Sequence, residues 1–268
     1  RFVFYISFPC LVFQSLQSSP IERMYWIIPP VAFTLISLVF VGSYFLGIRN
    51  LKLSSESSAS FAMGAAFGNT AFLGYPFIMA LLGEKSLPPA IFFDQMGNFL
   101  AVYSIGVAFC LYSKTRRFSL SSLWEILKLP PFIAFFLALI LNGIKLPPLM
   151  EQTIGRLAST TVPIIMVAIG LSLSIQHVSK NLKPLLIASL IKLAVLPVLF
   201  LLVTRLFHFS STFREVMILQ SATPTLMSSY ALASLYDLDL PLSSSVIFVT
   251  TIISLASLPL WSFLFPYI

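Results

Sequence analysis

The sequence predicts an all-α polytopic membrane protein built from inverted five-helix repeats, with two broken helices that cross. Three observations predict it. Of 268 residues, 58% are hydrophobic and only 9% charged, with a mean hydropathy of +0.96; a soluble domain carries about 25% charge. The apolar residues fall into runs of about 20, the length that crosses a bilayer as a helix. Two of those runs carry helix-breaking and polar residues at their centres, in corresponding places of the two halves.

Nine spans are predicted, at roughly 2–18, 24–47, 58–82, 88–112, 124–142, 152–175, 184–206, 214–235 and 241–265. Pro20, Pro88, Pro89, Pro147, Pro148, Pro184 and Pro241 stand at or near span starts, where a missing N–H costs little. Asn181 and Asp239 supply cap chemistry. The chain opens at Arg1 without Met and enters an apolar run at once, so a preceding helix is expected.

Lys and Arg orient the spans. Alternate loops from the Arg1 side hold Arg1, Arg49, Lys52, Lys114, Arg116, Arg117, Lys180 and Lys183; the opposite loops hold Arg23, Lys85, Lys145 and Arg214. The richer set is expected in the cytoplasm. The net charge of +7 is spread through these short loops, which reads as a topology signal rather than as nucleic-acid binding. Cys10 and Cys110 lie in apolar runs, so neither a disulfide framework nor a metal site is expected.

Internal symmetry follows from order. Pro9 and Pro163 are 154 residues apart, as are Pro30 and Pro184. At that offset spans one to four map onto spans six to nine, and the broken third maps onto the broken eighth. The fifth then lacks a partner, which implies a parent of ten spans arranged five plus five. Because five is odd, the copies lie upside down to each other, as in inverted-repeat transporters. The expected units are residues 1–112, a cytoplasmic connector 113–123, and residues 124–268.

The first break is centred on Gly68, Asn69, Thr70, Gly74 and Pro76. Pro76 removes a backbone donor and crowds the carbonyl of Phe72. Backbone groups freed at membrane depth must face protein or a water-filled cavity, and Asn69 can both donate and accept. The alternative is a kinked helix with a Gly64–Gly68 packing face. The second break offers Gln220, Ser221, Thr223, Pro224, Thr225, Ser228 and Ser229, with Pro224 freeing the carbonyl of Gln220. Ser221 and Ser229 read equally well as hydroxyls that satisfy a kinked backbone. Where two such breaks meet, two half-helix N-termini face one space and favour a carboxylate.

Ionisable groups inside spans mark function by default. Asp94 lies about 9 Å into its span at the helical rise, with Gln95 beside it and Asn98 on the same face. It suits proton coupling, or a structural carboxylate bonded to a neighbouring helix. Lys192 lies about 12 Å into its span from the cytoplasmic side. It can pair with an acid, attract an anion, or snorkel to the surface. An Asp94–Lys192 pair is one option, although their depths differ by roughly 9 Å before tilt. Pro163 and Gly170 are read as kink formers. His177 and His208 fall in loops, and no catalytic or nucleotide-binding motif is present.

The stretch Phe67-Gly-Asn-Thr-Ala-Phe-Leu-Gly-Tyr-Pro-Phe77, followed by Gly83, Phe93-Asp94 and Asn98, resembles the first crossover region of the auxin efflux carrier family. Val162-Pro163 through Gly170-Leu-Ser-Leu173, Ala222-Thr-Pro-Thr225 and Leu255 to Trp261 resemble its second half. The resemblance implies ten helices in two inverted repeats, a scaffold and a transport domain with elevator-like motion, and organic-anion substrates. Asn69 and Pro76 match the first crossover and Pro224 the second. The chain departs from many plant members by lacking a long central hydrophilic loop, which points to a compact, bacterial-type member.

The expected activity is secondary transport of a small organic anion in the plasma membrane, without a bound cofactor. Asn69, Thr70, Pro76, Gln220, Thr223, Pro224 and Ser228 are the candidate substrate contacts. Asp94, Gln95, Asn98 and Lys192 are the candidate ion-coupling residues. The coupling ion is read as a proton or sodium. Membrane lipid is the expected surrounding, no nucleic acid is expected, and a homodimer remains open. Two further readings stand beside this one: a sodium-coupled symporter resembling the bile-acid carriers, with Gln95, Asn98, Gln220 and Ser228 as ligands, and a membrane receptor on a transporter-like scaffold.

Overall fold

A computed structural model of the chain describes residues 2–115, 128–172, 182–207 and 209–267. Arg116 and Arg117 of the connector, the loop with His177, Lys180 and Asn181, and His208 lie outside the described residues.

Helices account for nearly all of the described chain. In order they are α1 (Phe8–Gln17), α2 (Ile28–Arg49), α3 (Ser55–Ala66), α4 (Tyr75–Leu82), α5 (Leu87–Phe93), α6 (Phe99–Ala101), α7 (Val107–Thr115), α8 (Pro130–Ile140), α9 (Pro148–Ser159), α10 (Thr161–Ser172), α11 (Leu182–Leu190), α12 (Leu196–Leu206), α13 (Ser211–Ser221), α14 (Ser228–Leu235) and α15 (Leu240–Leu264). Wider π turns at Asp94–Asn98, Val102–Gly106 and Ile191–Val195 join several of these without ending the rod. Among the described residues four stretches are long and apolar enough to cross a membrane: Arg23–Arg49, Glu84–Ser113, Leu182–Leu206 and Leu240–Tyr267. Val3–Gln17, Thr70–Leu82 and Pro130–Ile140 are shorter apolar helices.

Proline and short polar side chains set the starts. Pro29, Pro88, Pro131, Pro148 and Pro241 each occupy a first-turn position, where no intrahelical donor is lost. The Ser54 hydroxyl accepts from the Ser57 amide at 3.1 Å and caps α3. The Asp239 carboxylate caps α15 by accepting from the Leu242 amide at 3.0 Å and from the Ser57 hydroxyl at 2.8 Å. The expected kink at Pro163 is displaced: the chain turns at Thr160, and Pro163 falls in the first turn of α10, where proline is tolerated.

α3 lies at the centre. From Ser58 to Ala66 every residue is buried, and most are small. Small side chains let neighbouring backbones come close, and α2, α7, α11 and α15 all pack on α3. Aromatic pairs fill the space around it, with Phe40 stacked on Phe67 at 5.0 Å and Phe93 against Phe200 at 5.2 Å between ring centroids. At the periphery, Leu182, Leu186, Leu190, Val198, Leu202 and Leu206 form an exposed apolar stripe along one face of α11 and α12. Such a stripe suits contact with lipid tails.

Candidate functional site: the crossing of two broken helices

Both predicted breaks are real, and they meet. α3 ends at Ala66 and the chain resumes helical form at Thr70, first as a π turn over Thr70–Gly74 and then as α4. α13 ends at Ser221 and α14 begins at Ser228. Between these ends Gly68 and Thr225 form an antiparallel bridge. The Asn69 amide donates to the Pro224 carbonyl at 2.7 Å, and the Leu226 amide donates to the Phe67 carbonyl at 3.0 Å. Two helices that leave helical geometry at the same place thus satisfy each other's freed backbone groups, which membrane depth demands.

The bridge is tied down by side chains from two other helices, through Asn98 and Thr250. Asn98 grips Gly68 from both sides, accepting from its amide at 3.2 Å and donating to its carbonyl at 2.9 Å. The same Asn98 amide donates to Thr70 Oγ1 at 3.0 Å. The Thr225 amide donates to Thr250 Oγ1 at 3.1 Å, while the Thr225 hydroxyl donates to the Gly64 carbonyl at 2.6 Å. The carbonyl of Gln220, freed by Pro224 as the sequence suggests, accepts from the Thr223 hydroxyl at 2.7 Å. The Ser221 hydroxyl turns back to the Ile218 carbonyl at 2.8 Å, the plain backbone role read for it.

Gly68 and Gly74 are required by close approach. A Cβ on Gly68 would touch Thr223 Oγ1 and come within 3.3 Å of Lys192 Nζ; one on Gly74 would collide with Gln220 Oε1. The break itself centres on Gly68 and Asn69. Pro76 sits in the first turn of α4, half-buried and two residues beyond the π turn, so it shapes the resumed helix rather than the gap. Ser228 is likewise half-buried at the first position of α14.

Asp94 is buried and accepts three hydrogen bonds. Thr70 Oγ1 donates to Oδ1 at 2.5 Å; the Tyr75 hydroxyl and the Gln95 amide donate to Oδ2 at 2.9 and 2.8 Å. Lys192 is 0% exposed, and its ammonium donates to the Ser221 carbonyl at 2.5 Å. No Asp94–Lys192 salt link forms: the carboxylate is met by neutral donors and the ammonium by the end of a broken helix. Snorkelling of Lys192 is excluded by its complete burial. Both groups sit on π turns, Asp94–Asn98 and Ile191–Val195. An extra residue in the turn re-aims side chains, and such turns recur at functional sites.

Several polar atoms at the crossing are buried and unspent. Asn69 Nδ2, Gln95 Oε1, Gln220 Oε1 and Ser229 Oγ have no hydrogen-bond partner. Gln220 uses its amide nitrogen on the Ala90 carbonyl at 3.2 Å and leaves its oxygen beside Gly74. Buried polar groups are ordinarily paired, and these four are exceptions among the described residues. Sequence reasoning missed Tyr75 and Thr250. Tyr75 carried a signal, an aromatic hydroxyl between the break and Pro76. Thr250 is a mid-helix threonine in an apolar run and carried none. Thr250→Val is expected to orphan the Thr225 amide and cost about 1–3 kcal/mol, read as a fall in melting temperature of the solubilised protein.

Comparison with known proteins identifies a family. The family model described as membrane transport protein matches residues 1–262. An uncharacterized transporter of Methanocaldococcus jannaschii is 33% identical, covering 98% of this chain and 87% of its own. One from Methanothermobacter thermautotrophicus is 30% identical over 98% of this chain and 86% of its own. The uncharacterized transporter YfdV of Escherichia coli is 23% identical over 97% and 86%. Helices apolar enough to span a bilayer and a match along almost the whole chain lead to one conclusion: this is a multi-pass integral membrane protein that belongs to the membrane transport protein family, the auxin efflux carriers.

Proposed function

We propose that the chain is a secondary active carrier of small organic anions in the plasma membrane, and that the anion binds where the broken helices cross. One observation carries the reading: a fully buried ammonium, Lys192, reaches the crossing at Gly68 and Ser221, and the same crossing holds unspent buried polar atoms of Asn69 and Gln220. A carboxylate entering there meets a cation, an amide donor and the N-terminal ends of two half-helices, at Thr70 and Ser228. The two breaks, one in each half at matching places, fit inverted repeats around a midplane site.

Asp94 supplies a route for a coupling proton. The Thr70 hydroxyl has a second acceptor, the Gly68 carbonyl at 3.5 Å. When Asp94 Oδ1 takes a proton it becomes a donor to Thr70 Oγ1, and the Thr70 hydroxyl turns to Gly68. Protonation then changes a bond to the bridge residue itself. Asp94→Asn holds the position neutral and is expected to remove the pH dependence of exchange; a variant with the parent's pH profile would rule out the proton role.

The reading is tested by counterflow in proteoliposomes, with labelled malonate, malate and indole-3-acetate screened with and without proton and sodium gradients. Exchange of one of these anions supports the carrier. Binding without exchange, in well-inserted protein, turns the assignment to a receptor.

A further inference from the structure

We propose that the Lys192 ammonium is a tethered cation: it fills, at the crossing, the position that a free alkali cation occupies in a sodium-coupled carrier, so this chain moves its anion without sodium. The inference rests on the carrier reading above.

The C-terminal end of a broken helix is a cation site by construction. Its last carbonyls lack intrahelical donors, and the helix dipole makes that end negative. Unwound carbonyls and half-helix C-termini are what coordinate sodium in carriers with discontinuous helices. Here α13 ends at Ser221, and the carbonyl of Ser221 is taken by Lys192 Nζ at 2.5 Å. The same nitrogen lies 3.3 Å from where a Cβ on Gly68 would stand, so it reaches the other break as well. One charge therefore serves both interrupted helices.

The fold delivers that charge deliberately. Lys192 lies in the π turn Ile191–Val195, and the Leu193 carbonyl in that turn accepts from Trp261 Nε1 at 3.0 Å. The side chain is 0% exposed, so its nitrogen has no contact with bulk water where it stands. Nor is it cancelled by a neighbouring acid. Asp94 is spent on Thr70, Tyr75 and Gln95. α15 carries no acid, and the single acid of α3, Glu56, sits in its first turn, at the end away from the crossing. A cation held on the Ser221 carbonyl and left without a carboxylate does electrostatically what bound sodium does, and leaves one positive charge for the substrate anion.

The test compares melting temperatures of solubilised protein in sodium chloride and in choline chloride at equal ionic strength. Wild type is expected to melt at the same temperature in both. Lys192→Ala vacates the position and is expected to melt several degrees higher in sodium or methylammonium chloride than in choline, since a ligand of the folded state raises stability. Lys192→Ser, which also empties the space beside the Ser221 carbonyl, serves as the second neutral variant where alanine fails to accumulate. Sodium stabilisation of wild type overturns the proposal, as does a neutral variant indifferent to small cations. In proteoliposomes a sodium gradient is expected to leave wild-type exchange unchanged. The melting comparison needs no flux, so its failure is separable from failure of the carrier reading, which appears as absent exchange.

Discussion

Asn69→Ala is expected to insert and fold as the parent does, yet to lose anion exchange by about ten- to a hundredfold, the effect of removing a hydrogen bond to a charged group worth about 1.5–3 kcal/mol. The two halves of this prediction rest on different atoms. The bridge uses the backbone of Asn69: its amide bonds the Pro224 carbonyl, and its carbonyl accepts from the Leu73 and Gly74 amides at 3.1 and 3.0 Å. Alanine keeps all three. The side-chain amide, by contrast, is buried with Nδ2 unpartnered. Truncation removes a desolvated donor that bonds nothing in the protein, so stability should hold or rise. Lost exchange with an unchanged or higher melting temperature is the signature of a binding residue. Lost exchange with a lower melting temperature would make Asn69 structural.

Asp94→Leu is expected to have the opposite signature: little folded protein at all. Three donors converge on the carboxylate from Thr70, Tyr75 and Gln95. Leucine leaves each of them buried and facing methyl groups, at about 1–3 kcal/mol per unsatisfied group. Thr70 can turn to the Gly68 carbonyl, but the Gln95 amide has no such second choice among its bonds. With Tyr75 and Gln95 left unsatisfied the loss is about 2–6 kcal/mol, a large share of the roughly 5–15 kcal/mol that holds an ordinary domain. Accumulation in the membrane and the melting temperature of what can be purified measure it. Asp94→Leu protein as stable as wild type would show that the carboxylate does not organise the crossing.

Much of this was legible in the sequence because the bilayer narrows the choices. Apolar runs of span length located Arg23–Arg49, Glu84–Ser113, Leu182–Leu206 and Leu240–Tyr267 to within a few residues. The start of the fifth expected span and the end of the sixth lie outside the described residues. Gly, Pro and hydroxyl residues inside two of the runs marked the breaks. Asp94, Asn98 and Lys192 stood out as polar groups in apolar runs, and all three reach the crossing. Less legible was how the breaks are held. Nothing in the sequence pairs Gly68 with Thr225, because an inter-helix backbone bridge leaves no periodicity. Pro76 drew attention as the strongest local breaker, yet the gap opens at Gly68 and Asn69. A proline in the first turn of a resumed helix is tolerated, whereas close approach to Thr223 and Lys192 admits only glycine at position 68. The π turns were invisible too, since one added residue barely alters an apolar run.

Where the anion sits is measured most directly by substrate protection at the crossing. In protein with Cys10 and Cys110 replaced by alanine, Ser228→Cys places one thiol at the first position of α14. Its rate of reaction with a small methanethiosulfonate reagent is read with and without the anion that exchanges in counterflow. Substrate bound at the crossing predicts that saturating anion slows the reaction several-fold, while a non-exchanged anion at equal ionic strength does not. Equal rates with and without the exchanged anion, in protein that still transports it, would contradict a site between the broken helices.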